Sequence, residues 1–353
     1  MKETLHVPVL LQEAVDGLSV QPGAVVVDAT IGGGGHTREI LKRVLPKGLV
    51  IAFDADKSAL EKFREAARSD EFLTKALAEK SLILVHKNYS FLGGVLEDEG
   101  IKAVDAILAD LGFSSDQIEN GERGFSFQKS GPLDMRLDQE TELTADRSTQ
   151  LTADRSTQLT ADRSTQLTAD RSTQLTAETI VNTFSLEEIE KILREYGDES
   201  ESRRIARAII VARGDKPFAT TGELASLIED AYPKGKRYRM KIHPATKTFQ
   251  ALRIAVNREF EHLEQFLLEA VKHLRLGGRL AVITFHSGED RIVSQFFKSQ
   301  ARGCVCPPGF PVCRCGQKPI LKILTKKPII PSDQEVQDNP RSRSAKLRIA
   351  QRI

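Results

Sequence analysis

The sequence predicts an α/β fold built on a doubly wound parallel sheet and interrupted by an all-α domain, and three observations carry that expectation. Short β-branched apolar runs alternate with amphipathic helical stretches, the pattern of strands joined by crossover helices. The first run, Val25-Val-Val-Asp28, leads into four consecutive glycines, Gly32 to Gly35, then His36 and a helical stretch from Thr37 to Val44. The second run, Leu49 to Asp54, ends in an acid 20 residues beyond Gly34, the spacing at which a Rossmann-like sheet holds a ribose.

The elements follow in order. Residues 5 to 20 form an amphipathic lead-in with Leu10, Leu11, Ala14, Val15 and Leu18 on one face. The tetraglycine bend lets a ligand approach the backbone, and the free N–H groups of the helix start favour a carboxylate or phosphate. A dinucleotide fingerprint needs a third glycine where this chain has Thr37 or Arg38, which disfavours a pyrophosphate. S-adenosylmethionine is the remaining common ligand for such a strand, loop, helix, strand and acid. A surface glycine turn beside an ordinary α/β core is the alternative.

Lys57 to Lys80 reads as helix and Ser81 to His86 as a third strand, with Tyr89 just beyond it, where a ring either stacks on an adenine or is simply half-buried. Val104 to Asp110 is a fourth strand, and its terminal acid either joins the crevice or caps a turn. Ligands of doubly wound sheets sit outside the carboxyl ends of the strands, so the glycine loop, Asp54, Tyr89 and Asp110 are expected to converge there. Gly121 to Asp138 carries Phe125 and Phe127, placed either to stack a base beside the crevice or to tuck into a core.

Leu-Thr-Ala-Asp-Arg-Ser-Thr-Gln then occurs in four copies over residues 143–174. On a helix each 8-residue step turns the leucine by about 80°, so no apolar stripe forms, and the repeats read as an expansion in a tolerant surface connection. Ala177 to Asp230 is helical in pattern, with a capping box at Ser185-Leu-Glu-Glu188 and helices at Arg203 to Ala212 and Thr221 to Ala231. Lys234 to Arg258 holds eight Lys or Arg and no acid, interleaved with Tyr238, His243 and Phe249, which suits a nucleic acid or a solvated helix face. One helix of about 30 residues is expected from Phe249 to Leu276, closing at Gly277-Gly278. Arg279 to Phe285 is a fifth strand followed by His286-Ser287, and Ile320 to Thr325 with Lys346 to Arg352 form a terminal antiparallel pair. Lys318 to Ile353 carries nine cations against three acids, a second basic patch.

With 353 residues, 40% of them hydrophobic, the chain is large enough for two domains or one with an insertion. Net charge is only +2, so affinity for an acidic partner depends on local clustering. Neither a signal peptide nor a membrane-length apolar run is visible, and a cytoplasmic protein is expected. Cys304, Cys306, Cys313 and Cys315 offer a zinc ion four thiolates, but their C-x-C spacing is tight and a reduced loop braced by prolines fits as well, so no metal ligand is assigned.

Beside the glycine loop, the sequence contains Asp110-Leu-Gly-Phe-Ser-Ser-Asp-Gln117, Arg123-Gly-Phe-Ser-Phe127, Gly131-Pro-Leu-Asp-Met-Arg136, His243-Pro-Ala-Thr246, Phe285-His-Ser287 and Glu289-Asp-Arg291. With these motifs the chain closely resembles the ribosomal RNA small-subunit methyltransferase H family, over nearly everything except the repeats. The resemblance implies a Rossmann-like class I S-adenosylmethionine-dependent methyltransferase that modifies the N4 amine of a cytidine in the decoding region of small-subunit (16S) ribosomal RNA. It implies cofactor contacts at Gly34, Gly35, His36, Asp54, Tyr89 (where relatives often have Phe), Asp110 and Gln117. Relatives usually read Ser and Leu where this chain has Thr284 and Gly288, a departure that touches the loop after the fifth strand.

The expected organisation is a discontinuous methyltransferase core, 1–136 and 243–353, with an inserted helical substrate-recognition domain at 137–242 that contains the repeats. Asp110 is the candidate catalytic acceptor for the amine, with Phe113 or the Phe125/Phe127 loop stacking the base. Expected partners are small-subunit ribosomal RNA or the assembled subunit, with no membrane, and a homodimer is compatible with the sequence. Two other readings stand beside this one: a DNA amino-methyltransferase, whose usual Pro-Pro-aromatic is here Leu111-Gly-Phe113, and a non-catalytic ribosome-binding protein.

Overall fold

The computed structural model describes residues 8–112, 121–137, 175–303 and 315–353. The chain divides into two compact units, one of Met1–Glu119 with Arg258–Ile353 and one of Asn120–Asn257. Among the described residues no helix is long and apolar enough to cross a membrane.

The first unit is a seven-stranded sheet. Its strands are β1 (Val25–Asp28), β2 (Leu49–Asp54), β3 (Leu82–His86), β4 (Val104–Asp110), β5 (Leu274–Thr284), β6 (Leu321–Ile323) and β7 (Lys346–Arg352), in the order β3-β2-β1-β4-β5-β7-β6. The first five run parallel, and β7 is antiparallel to both β5 and β6. Parallel strands are covered on both faces, so they read as continuous apolar runs rather than alternating ones. Val26 and Ala52 face one core, with Ile40 and Leu41 of the helix Gly35–Val44, while Val27, Ile51 and Phe53 face the other, with Phe266 and Leu267 of the helix Glu259–His273.

Two sequence expectations change here. Lys57 to Lys80 is two helices, Lys57–Arg68 and Glu71–Ala78, because Asp70 caps the second by accepting from the Phe72 and Leu73 N–H groups. The single long helix over 249–276 is also two, Ala245–Asn257 and Glu259–His273, divided at Arg258, which takes a left-handed φ of 49°. The second of them stops at His273, because Leu274 already pairs with Val104. Gly277-Gly278 therefore lies inside β5, where the register between β4 and β5 shifts. Gly277 has φ 83°, and a Cβ on Gly278 would sit 2.8 Å from the Asp105 carbonyl oxygen, so the pair serves a bulge and not a helix end.

The second unit is helical, with Ala177–Thr183, Leu186–Gly197, Ser202–Asp215, Thr221–Ala231, Lys234–Arg237 and Ala245–Asn257. The box at Ser185 and Glu188 forms, and a second forms at Thr220 and Glu223. The boundaries expected at 136/137 and 242/243 fall inside this unit. Leu133 and Met135 are buried in its core with Ile180, Leu193 and Ile209, and Phe249 and Leu252 join the same core from the other side. Both flanks are thus claimed by helical packing. The octapeptide repeats at 143–174 lie outside the described residues.

Inside this core the Tyr232 hydroxyl donates to Glu199 Oε1 at 2.5 Å, and Glu199 is only 2% exposed. Burial and the Glu199 carboxylate both push the phenol well above its ordinary value. Tyr232→Phe removes a donor from a buried carboxylate, and urea denaturation is expected to show a loss of about 1–3 kcal/mol. Unchanged stability would mean that the carboxylate finds another donor.

Candidate active site

The site grows from the end of β1. Asp28 is fully buried; its Oδ2 accepts the Thr37 hydroxyl at 2.6 Å and its Oδ1 accepts the Thr30 N–H at 3.2 Å. One carboxylate thereby ties both ends of the glycine bend. The Ile31 N–H donates to the Phe53 carbonyl at 2.8 Å, and the Gly32 N–H donates to Asp54 Oδ2 at 3.1 Å, folding the bend over the end of β2. Gly34 has φ 77°, and a Cβ there would lie 2.2 Å from the Phe63 ring, so no other residue fits. Gly32, at φ 48°, meets nothing within 4 Å of a built Cβ, so open space lies beside this part of the loop. The helix Gly35–Val44 has no side-chain cap, which leaves its first N–H groups for another acceptor.

Asp54 ends β2, and its Oδ1 accepts the Asp56 N–H at 2.8 Å. Burial pushes its carboxyl up to about 6, against the two backbone N–H groups that favour the charged form. Asp110 ends β4, and its own N–H donates to Thr30 Oγ1 at 2.7 Å. Its Oδ1 is buried with no hydrogen-bond partner, and its Oδ2 lies 3.6 Å from His36 Nδ1. Burial first, then the charges of Asp28 and Glu289, push Asp110 up to about 8. His36 is 5% exposed, and its Nε2 lies 3.1 Å from the Val9 carbonyl. A carbonyl only accepts, so Nε2 donates to it, and Nδ1 is the nitrogen that faces Asp110.

Beyond the end of β5, Glu289 Oε2 accepts the Phe285 and His286 N–H groups at 2.9 and 3.3 Å, and His286 Nδ1 accepts the Glu289 N–H at 3.4 Å. This is a capping box at the helix Ser287–Ala301 that buries a carboxylate near Asp110. Glu259, His286 and Glu289 bring ligand-type atoms within 4.8 Å of one another. Because His286 Nδ1 accepts the cap hydrogen, however, the ring presents an N–H rather than a lone pair to the acids, which is the wrong state for a metal. Of the cysteines, Cys304, Cys306 and Cys313 lie outside the described residues and Cys315 is exposed.

The structure thus joins Gly34, Gly35, His36, Asp54 and Asp110 around one carboxyl edge. Tyr89 begins the turn after β3 on that edge, but its ring meets Phe266 edge-on at 5.1 Å. Gln117 and Phe113 lie outside the described residues. Phe125 and Phe127 belong to the helical unit. Phe127 stacks on His243 at 4.6 Å and meets Phe249 edge-on at 5.1 Å, and the Arg123 guanidinium lies 5.5 Å from the Phe125 ring. Both rings are half-buried against the core of the helical unit.

The 234–258 stretch is less free than its sequence suggests. Lys236 pairs with Glu201, Arg237 with Glu229 at 2.8 Å, Arg258 with Glu261, and Lys247 Nζ donates to the Asp198 carbonyl at 2.8 Å. Lys234, Arg239 and Lys241 have no ion pair among the described residues, and Tyr238 between them is 87% exposed. Sequence reasoning missed Asp28, Thr30, Thr37 and Glu289. The Asp-x-Thr at the end of β1 was the available signal for the first two, whereas Glu289 is headed by a histidine rather than the usual Ser or Thr cap.

The profile of the MraW methylase family matches residues 3–155 and 147–353. A protein of Halothermothrix orenii named Ribosomal RNA small subunit methyltransferase H is 45% identical over 348 residues, covering 99% of this chain and 98% of that one. Proteins with the same name from Thermomicrobium roseum and Brevibacillus brevis are 44% and 41% identical, over 99% of this chain and 94% and 98% of theirs.

Asp28, Asp54 and Asp110 all have folded values above the ordinary carboxylate range, at about 7, 6 and 8, so the folded state binds more protons than the unfolded one. Their contribution to stability is complete in acid and is lost as pH rises through about 6 to 8. The melting temperature of the ligand-free protein is expected to fall between about pH 4 and pH 8, and Asp110→Asn to flatten that fall. A parallel pH profile for the variant would remove Asp110 from the effect.

Proposed function

The chain belongs to the MraW methylase family, and from that premise we infer that it transfers a methyl group from S-adenosylmethionine to the N4 amine of a cytidine in the decoding region of small-subunit ribosomal RNA. The observation that carries this reading is the convergence of the glycine bend, Asp54 and Asp110 on one carboxyl edge of the sheet. The names of the relatives support ribosomal RNA as the substrate. The ribosome also sets the expected location, the cytoplasm.

The residues present fit the cofactor. Gly32 leaves space beside the loop, Gly34 and Gly35 open an uncapped helix start toward a carboxylate, and Asp54 supplies acceptors of the kind that ribose hydroxyls use. Tyr89 and Gln117 complete the proposed contacts. Asp28, Asp110 and Glu289 are gathered beside the bend, and a cation placed there would favour their charged forms. When bound, S-adenosylmethionine supplies a methyl group activated by its positive sulfur.

A cytosine amine is a weak nucleophile because its lone pair is delocalised into the ring. Holding it in line is the larger requirement, and accepting its hydrogen is the second. Asp110 Oδ1, buried and without a partner, is the proposed acceptor. In that transfer the Asp110 carboxylate would take the proton that the amine gives up. His36 Nδ1 is the next acceptor in line. A paired base hides this amine, so the target base is single-stranded or flipped.

The direct test is methyl transfer to small subunits from a strain lacking this enzyme, followed by mapping of the modified base by mass spectrometry; a methyl group elsewhere than a cytidine N4 overturns the assignment. Asp54→Ala is expected to weaken cofactor binding about 100-fold or more by calorimetry, given the loss of charge-assisted hydrogen bonds. Asp110→Asn is expected to lower the rate about 10²–10⁴-fold, as for loss of a proton acceptor. A normal rate for Asp110→Asn would leave that residue a purely structural role.

A further inference from the structure

The basic patch at the end of the chain differs from the one at 234–258, and the sheet explains how. Strand β7 runs against β5, with Lys346 opposite Thr284, while Ile283 of β5 lies opposite Asp110 of β4. The start of β7 is therefore on the same carboxyl edge as Asp110, two strand spacings or roughly 10 Å across. The chain that feeds this point carries cations from two directions. The turn Pro340–Ser344 brings Arg341 and Arg343 directly to β7. Lys326 and Lys327 follow Thr325, which bonds to Ile349, and precede Ile329, which pairs with Leu347.

These cations fall into two groups. Lys346 and Arg348 reach Asp290 at 3.4 and 2.7 Å, fastening β7 to the helix Ser287–Ala301 and depressing the Asp290 carboxyl. Lys326, Lys327 and Arg343 are exposed and have no ion pair among the described residues. The acids of the same segment, Asp333, Glu335 and Asp338, all lie in the helix Asp333–Asp338. There Glu335 accepts the Leu10 N–H at 2.8 Å, and Asp338 accepts from Gln334 at 3.1 Å. Three exposed cations on the segments that flank the start of β7 thus have no counterion among the described residues.

We propose that Lys326, Lys327 and Arg343 form a phosphate-binding rim of the methyltransferase unit, holding the RNA backbone beside the nucleotide that enters the crevice. The inference rests on the RNA reading above and adds where in this unit the backbone is gripped. Sequence alone favours the 234–258 stretch, but several of its cations are paired within the helical unit, while the rim carries unpaired charge next to the chemistry.

The test neutralises the rim with Lys326→Gln, Lys327→Gln and Arg343→Gln in the full chain and measures binding to small-subunit RNA across a salt series. Each phosphate contact on a single strand contributes about 0.7 to the slope of log affinity against log salt, so the slope is expected to shrink by about 2. Affinity at low salt is expected to fall about tenfold or more. Cofactor affinity by calorimetry and melting temperature check that the fold is intact. A variant that keeps the wild-type slope and affinity, beside a wild type that binds and methylates the RNA, overturns the rim alone. A wild type with no salt-dependent RNA binding overturns the RNA reading itself.

Discussion

The site depends on one buried carboxylate. Asp28 sits at the end of β1 with no solvent contact, and from it a chain of hydrogen bonds runs outward. Thr37 fixes the helix, the Thr30 N–H fixes the bend, the Thr30 hydroxyl receives the Asp110 N–H, Asp110 faces His36, and His36 reaches Val9. Without Asp28 the Thr37 hydroxyl and the Thr30 N–H lose the acceptor that ties the two ends of the bend together. The glycines allow the bend, because Gly34 occupies a conformation and a space closed to any side chain, but they do not choose its direction. The acid chooses it.

That arrangement has an electrostatic consequence. Asp28, Asp110 and Glu289 are gathered where water is largely excluded, and the charges of Asp28 and Glu289 add to burial in making Asp110 harder to ionise. Asp110, shifted to about 8, holds a proton at neutral pH in the ligand-free protein. A cation in the crevice reverses the balance and favours the carboxylate.

Much of this is legible in the sequence. The strands are visible because a parallel sheet demands unbroken apolar runs, and Asp54 and Asp110 stand out as acids ending such runs. Arg258 is not visible as a helix break, since an arginine in the left-handed region carries no local signal comparable to Gly or Pro. Gly277-Gly278 looks like a helix stop, and only the pairing of Leu274 with Val104 makes it a bulge. Phe125 and Phe127 look free to stack a base until His243 and Phe249, over a hundred residues later, are brought against Phe127. Charge is the least legible property of all. A count of lysines cannot tell Lys236, engaged by Glu201, from Lys326, engaged by nothing described.

The position of the helical unit also bears on how the chain is made. Val104 of β4 pairs with Leu274 of β5, and the whole helical unit is encoded between them. At a synthesis rate of about 5–20 residues per second, roughly 10–30 s separate the two strands at the ribosome. Throughout that interval one edge of β4, with the apolar run Ala106 to Ala109, lacks its neighbour, which is the condition under which strand edges recruit wrong partners. The octapeptide repeats lie within this gap and lengthen the wait. A helical insert that packs early around its own core shortens the free chain to be closed, so its autonomy serves the assembly of the sheet around it.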